Sequence, residues 1–265
     1  MCYVDASVST NVGLIRDNNE DNFYINGIIM EEYQRGNYQV SIRHEYEECI
    51  FAVCDGMGGE NAGEIASFIA VNELKRFHKN IVNSIESIEN LAERMETYVE
   101  KTNRFIYEES FDEGSRGMGT TFAGLAVYKN KAIAMNLGDS RLYLLRDNTL
   151  TQINNDHTEA ERMVEIGLIT REEAKTHRGR NLLSRYFGMS YSEGIMEAEV
   201  YDETNIQKND VFLICSDGLS DMLSDYEILD ILSVNEDTSF ISNLLVNRAL
   251  RNGGRDNITS MVIRF

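Results

Sequence analysis

Three apolar runs in this chain end on an aspartate: CIFAVCD (49–55), KAIAMNLGD (131–139) and VFLICSD (211–217). Each is short and almost continuously apolar, so each reads as a strand covered on both faces. TTFAGLAVY (120–128), SRLYLLR (140–146) and ITSMVIRF (258–265) have the same character. Burying both faces of several strands requires a layer on each side of every sheet. An acid at the end of a buried strand adds a second requirement, because a buried carboxylate is unfavourable unless something pairs with it.

Helical spacing appears at 61–79, through Ile65, Phe68, Ile69, Val71, Leu74 and Phe77, and at 84–107, through Ile85, Ile88, Leu91, Met95, Val99 and Ile106. Thr170 with Glu173 and Ser224 with Glu227 have the capping-box pattern, and DTSFISNLLVNRALRNGG (237–254) reads as a helix stopped by Gly253-Gly254. Strands and helices come in groups with little β-α-β alternation. The expected class is therefore α+β, antiparallel sheets with helices packed outside. With no internal repeat or low-complexity linker, one domain spanning 1–265 is expected, and the polar helical stretch 157–190 reads as a flap within it.

No run approaches the roughly 18 apolar residues of a membrane span. The start, MCYVDASVST, lacks the basic and apolar regions of a signal peptide. Four cysteines show no paired spacing, and Cys54 and Cys215 sit in apolar runs, as reduced core residues of a cytoplasmic protein would. With 44 acidic against 25 basic residues the net charge is −19, which argues against nucleic acid and anionic membrane as partners. An anionic substrate would then need local positive charge from arginine or metal ions.

Four acids share one context: Asp55 in FAVCDGMGG, Asp139 in NLGD, Asp217 in ICSDG and Asp256 in GGRDN. Singly, each is adequately explained as a turn residue or helix cap. Together, acids at strand ends flanked by glycine suggest convergence on one sheet edge, and Glu20 and Asp21 in RDNNEDNF add two more. Clustered carboxylates repel unless cations neutralise them. An all-oxygen set suits Mg²⁺ or Mn²⁺ with retained waters, or Ca²⁺. The four scattered histidines (44, 78, 157, 177) fit no zinc site.

The glycines beside Asp55 leave a phosphate cradle or a plain tight turn as alternatives. A Walker A loop is excluded because Glu64 stands where lysine is required, and DNNEDN (17–22) is no EF-hand because Asn22 and Ile28 replace the glycine and glutamate. A cysteine phosphatase needs an arginine shortly after its nucleophile, but Glu60 and Asp221 stand six residues after Cys54 and Cys215.

Set in order, RDNNED (16–21), DGMGG (55–59) with NAGEIAS (61–67), GMGTT (117–121), NLGDSRLYLLRD (136–147), DHT (156–158), CSDGLSDML (215–223) and GGRDNIT (253–259) closely resemble the metal-dependent Ser/Thr protein phosphatases of type 2C in their compact bacterial form. Seven fragments in family order are far more specific than any one. The resemblance implies two packed antiparallel sheets with a helix pair on each outer face, and two or three Mn²⁺ or Mg²⁺ ions at one end. Asp55 would bridge two ions, with the Gly56 carbonyl, Asp217 and Asp256 as further ligands. Glu20 and Asp21 would act directly or through water, and Asp139 with Asp217 would form a weaker third site. Arg16 matches the phosphate-binding arginine, whose planar fork can hold two phosphate oxygens. The implied reaction is hydrolysis of phosphoserine or phosphothreonine monoesters by direct attack of a metal-bridging hydroxide. The implied partners are phosphorylated proteins, substrates of a bacterial Ser/Thr kinase, met by a monomeric enzyme.

Two positions depart from the pattern. Glu60 replaces the histidine that follows DGMGG in many relatives, which suggests a preference for phosphosites with basic flanks and leaves open a catalytically silent phosphoprotein-binding module. Arg178 in the flap stands where proline is common. A hydrolase acting on small phosphoesters or nucleotides is the third reading.

Overall fold

A computed structural model describes residues 2–32, 34–58, 62–112, 115–190 and 197–265. Along the chain come β1 (Cys2–Asn11), β2 (Asp21–Ile25), β3 (Ile28–Ile29), β4 (Tyr38–Tyr46), β5 (Glu48–Met57), α1 (Gly63–Ile81), α2 (Ile88–Glu109), β6 (Gly119–Thr120), β7 (Phe122–Tyr128), β8 (Lys131–Leu137), β9 (Arg141–Arg146) and β10 (Thr149–Gln152). They are followed by α3 (Glu159–Glu165), α4 (Arg171–Ala174), β11 (Glu199–Val200), β12 (Thr204–Asn205), β13 (Val211–Cys215), α5 (Asp217–Ser220), α6 (Asp225–Leu232), α7 (Thr238–Arg251) and β14 (Ile258–Arg264).

The strands form two antiparallel sheets. One has the order β10-β9-β13-β14-β1-β4; the other runs β11-β8-β7-β5-β2-β3, with β12 on β8 and β6 on β5. The period-2 rule explains the apolar runs. In β5, Phe51 and Val53 point into the layer between the sheets, while Ile50, Ala52 and Cys54 point under α1 and α2. In β13, Phe212 and Ile214 join the inter-sheet layer, and Leu213 and Cys215 lie under α5, α6 and α7. The result is helix–sheet–sheet–helix, the α+β arrangement expected. Cys49, Cys54 and Cys215 are buried free thiols.

Several boundaries differ from expectation. The run 131–139 ends as a strand at Leu137, where Gly138 turns the chain at φ +107. The run 211–217 ends at Cys215, so Asp217 is the first residue of α5 rather than the end of a strand. The stretch 157–190 holds only the short helices α3 and α4, the second with the expected capping box at Thr170 and Glu173. Ser224 and Glu227 close the expected box on α6.

The interior strand β1, CYVDASVSTN, lacks the apolar run that marks β5, β7, β8 and β13. Its buried hydroxyls are paired instead: Ser7 with Thr238 (2.7 Å), Ser9 with Ser242 (2.8 Å) and Thr10 with Thr259 (2.8 Å). Each pair satisfies polar atoms that burial would otherwise penalise.

His78 of α1 lies against Tyr24, with Nδ1 2.5 Å from the phenol oxygen, and its Nε2 is buried with no partner among the described residues. Burial pushes its pKa down from 6.5 to about 4. The fold holds His78 neutral, so its contribution is intact above the unfolded value and is lost as pH falls through that window. Between pH 6.5 and 4 the protein is expected to lose about 3 kcal/mol more stability than His78→Gln. Denaturant midpoints measured across that range check this, and parallel curves for the two proteins would contradict it.

Candidate metal centre

β2 and β5 pair with Asp21 directly opposite Asp55. The Asp55 main chain is fully engaged: its N–H donates to Thr121 Oγ1 (2.9 Å), and its carbonyl accepts from the Thr121 N–H and the Thr120 hydroxyl (both 2.9 Å). The carboxylate therefore projects from a fixed backbone. Gly56 is required by close approach. A Cβ there would fall 2.2 Å from the Gly63 carbonyl and 2.5 Å from that of Glu20, while its N–H donates to the Glu20 carbonyl (3.2 Å). Asp21 is buried; its Oδ2 accepts from Ser216 (2.8 Å) and Thr259 (2.6 Å), and its Oδ1 is buried without a partner among the described residues.

The other sheet supplies the remaining acids. Gly218 lets the first turn of α5 sit on the turn before β14, since a Cβ there would fall 1.9 Å from the Asn257 carbonyl. That contact brings Asp217 beside Asp256. Asn257 staples this turn to the N-terminal loop: Oδ1 accepts from the Glu20 N–H (2.7 Å), and Nδ2 donates to the carbonyls of Val12 (2.8 Å) and Asn18 (2.9 Å). Arg16, half exposed at the rim, donates from Nη2 to Asp256 Oδ2 at 2.6 Å.

Electrostatics define the cluster. Burial, then repulsion from Asp21, Asp217, Asp139 and Asp256, pushes the Asp55 pKa well above the carboxylate range. Asp217 is pushed up to about 6, first by burial and then by Asp256 and Asp221, although it lies within hydrogen-bonding reach of Asp55. Asp139 is also pushed well up, by burial and then Asp217. Asp21 is pushed up to about 7, mainly by burial. Glu20 is raised by burial and then by Glu64, against the pull of Arg16.

All eight residues singled out in the sequence, Arg16, Glu20, Asp21, Asp55, Gly56, Asp139, Asp217 and Asp256, thus meet at one end of the two sheets. Among the described residues no three acidic, histidine or cysteine side chains group closely enough to hold an ion by themselves. The donors that do approach one another are all oxygens, the set a hard divalent ion takes. The unpartnered Asp21 Oδ1 and the mutual repulsion around Asp55 are the features a cation would relieve. The sequence reading missed Thr121, Ser216, Thr259 and Asn257, which fix the acids. It also missed Asp221, whose place one helical turn after Asp217 was readable in DGLSD.

The profile of protein phosphatase 2C matches residues 12–258. The chain belongs to this family. It is 34% identical to the serine/threonine phosphatase Stp of Listeria welshimeri over 264 residues, covering 97% of this chain and 94% of that one. A serine/threonine phosphatase structure from S. agalactiae superposes with a TM-score of 0.84 at 26% identity, covering 98% of this chain and 99% of that one. The catalytic domain of the phosphatase PstP, solved with two manganese ions, superposes with a TM-score of 0.77 at 31% identity, covering 99% of both chains. In this protein phosphatase 2C the departure at Glu60 lies outside the described residues.

Proposed function

We propose that this protein phosphatase 2C is a metal-dependent protein serine/threonine phosphatase that hydrolyses phosphoserine and phosphothreonine monoesters. The convergence of Asp21, Asp55, Asp139, Asp217 and Asp256 beside Arg16 carries the reading. Asp55, the Gly56 carbonyl, Asp217 and Asp256 would hold two Mn²⁺ or Mg²⁺ ions, with Asp139 toward a third and Glu20 and Asp21 contributing directly or through water. Bound there, such ions supply Lewis acidity and a water of lowered pKa.

The chain's own residues do the rest. Threonines 120 and 121 hold the Asp55 backbone so that its carboxylate needs no rearrangement. Ser216 and Thr259 aim Asp21 by binding one oxygen and leaving the other free. Arg16 uses one N–H group on Asp256 and keeps further donors of its fork for phosphoryl oxygens. With a net charge of −19, an anionic substrate needs local positive charge at this mouth, which that arginine and the bound cations would supply.

The same reading takes residues 1–265 as one domain with 157–190 as its flap, acting as a cytoplasmic monomer on the products of a Ser/Thr kinase. Among the described residues no helix is long and apolar enough to cross a membrane. Rates on phosphothreonine and phosphoserine peptides are expected to exceed those on nucleotides under the same metal. The reverse order would overturn the substrate class.

A further inference from the structure

Glu64, in the first turn of α1, is only 6% exposed. Its Oε1 accepts from Arg35 Nη1 at 2.6 Å, while its Oε2 is buried and accepts no hydrogen bond from any of the described residues. Arg35 comes from the segment between β3 and β4. The same segment grips the residue before Glu20, since the Asn19 N–H donates to the Arg35 carbonyl (3.1 Å) and the Asn19 amide to that of Gly36 (3.3 Å). The N-terminus of α1 closes on Glu20 from the other side. Ser67 donates to the Glu20 carbonyl (2.6 Å), and Glu20 Oε2 packs so tightly on Gly63 that a Cβ there would lie 2.6 Å from it. Among the charged groups acting on Glu20, Glu64 acts most strongly.

A buried carboxylate with one strong ion pair and one bare oxygen, set beside a second carboxylate, is an unfavourable arrangement that a cation on that side would relieve. We propose that Arg35 and Glu64 form a positioning pair for cation binding, in which Arg35 fixes Glu64 so that its unpartnered oxygen serves, with Glu20, the hydrated cation at the edge of the carboxylate cluster. The inference rests on the metal-centre reading above. Glu64 is a positioning residue here, because it acts beside Glu20 and through the ion's water rather than on substrate.

The two members of the pair give opposite signs under a purely electrostatic role. Removing a positive charge near a cation site tightens binding; removing a residue that positions a carboxylate weakens it. Mn²⁺ affinity is to be measured by titration calorimetry on metal-free protein, with thermal midpoints as a parallel readout. Glu64→Gln and Arg35→Gln are each expected to weaken Mn²⁺ binding about tenfold or more, as loss of outer-shell support typically does. Arg35→Lys is expected to recover most of the affinity. Glu64→Gln binding Mn²⁺ within twofold of wild type would overturn the proposal, as would Arg35→Gln binding it more tightly. Arg35 is 42% exposed on a loop, so its variants keep the test decisive if Glu64→Gln fails to fold. A wild-type protein that binds no Mn²⁺ would instead count against the metal centre itself.

Discussion

Asp55→Asn is expected to reduce phosphatase activity about a thousandfold or more, roughly 4 kcal/mol of transition-state stabilisation, while making the metal-free protein more resistant to heat. The two effects have one cause. Asp55 stands among Asp21, Asp217, Asp139 and Asp256, and repulsion and burial both act against its charge. Its amide analogue removes that repulsion in a site whose backbone is pinned by Thr120 and Thr121, so the fold has no reason to collapse. A gain of about 1–3 kcal/mol corresponds to several degrees in a chain of this size. Scanning calorimetry with chelator present reads it. Mn²⁺ should raise the wild-type midpoint further, by linkage, and leave that of the variant nearly unmoved. A lower chelated midpoint for Asp55→Asn would mean that the cluster is not under electrostatic stress.

Gly218→Ala is expected to lower activity about a hundredfold, although alanine is the better helix former by about 1 kcal/mol and Gly218 lies within α5. Steric exclusion decides the sign. The new Cβ would fall 1.9 Å from the Asn257 carbonyl and 3.5 Å from the Asp256 Cβ, so the α5 turn and the turn before β14 must separate. Those two segments carry Asp217 and Asp256, and a displacement of about 1 Å between catalytic groups is enough for an effect of this size. Steady-state kinetics at saturating Mn²⁺ check it. Activity within threefold of wild type would show that the spacing of Asp217 and Asp256 is not critical.

The acids of the site were legible because each stood where a carboxylate is unexpected. Asp55, Asp139 and Asp217 follow apolar runs, and Asp256 follows a glycine pair. The packing layers followed from runs such as FAVC and FLIC, whose alternate side chains enter different layers. What could not be read depends on register. Ser216 and Thr259 are isolated hydroxyl residues until β13 and β14 pair and bring both to Asp21. Glu64 and Arg35 lie 29 positions apart and share no motif, so their ion pair exists only in three dimensions. β1 escaped notice because its burial is balanced by hydroxyl pairs with β14 and α7 rather than by apolar side chains. The run 211–217 reads as a strand with Asp217 at or just beyond its end; β13 stops at Cys215 and Asp217 opens α5.

Under the proposed function, divalent cations held by the carboxylate cluster around Asp55 are required for hydrolysis of phosphate monoesters on protein. Phosphate release from a phosphothreonine peptide, followed while Mn²⁺ is added back to chelator-treated protein, tests it most directly. No release is expected without metal, followed by a saturating rise with Mn²⁺, loss on renewed chelation, and no rise in Asp217→Asn. Equal release with chelator and with Mn²⁺, or a metal response unchanged in Asp217→Asn, would contradict it.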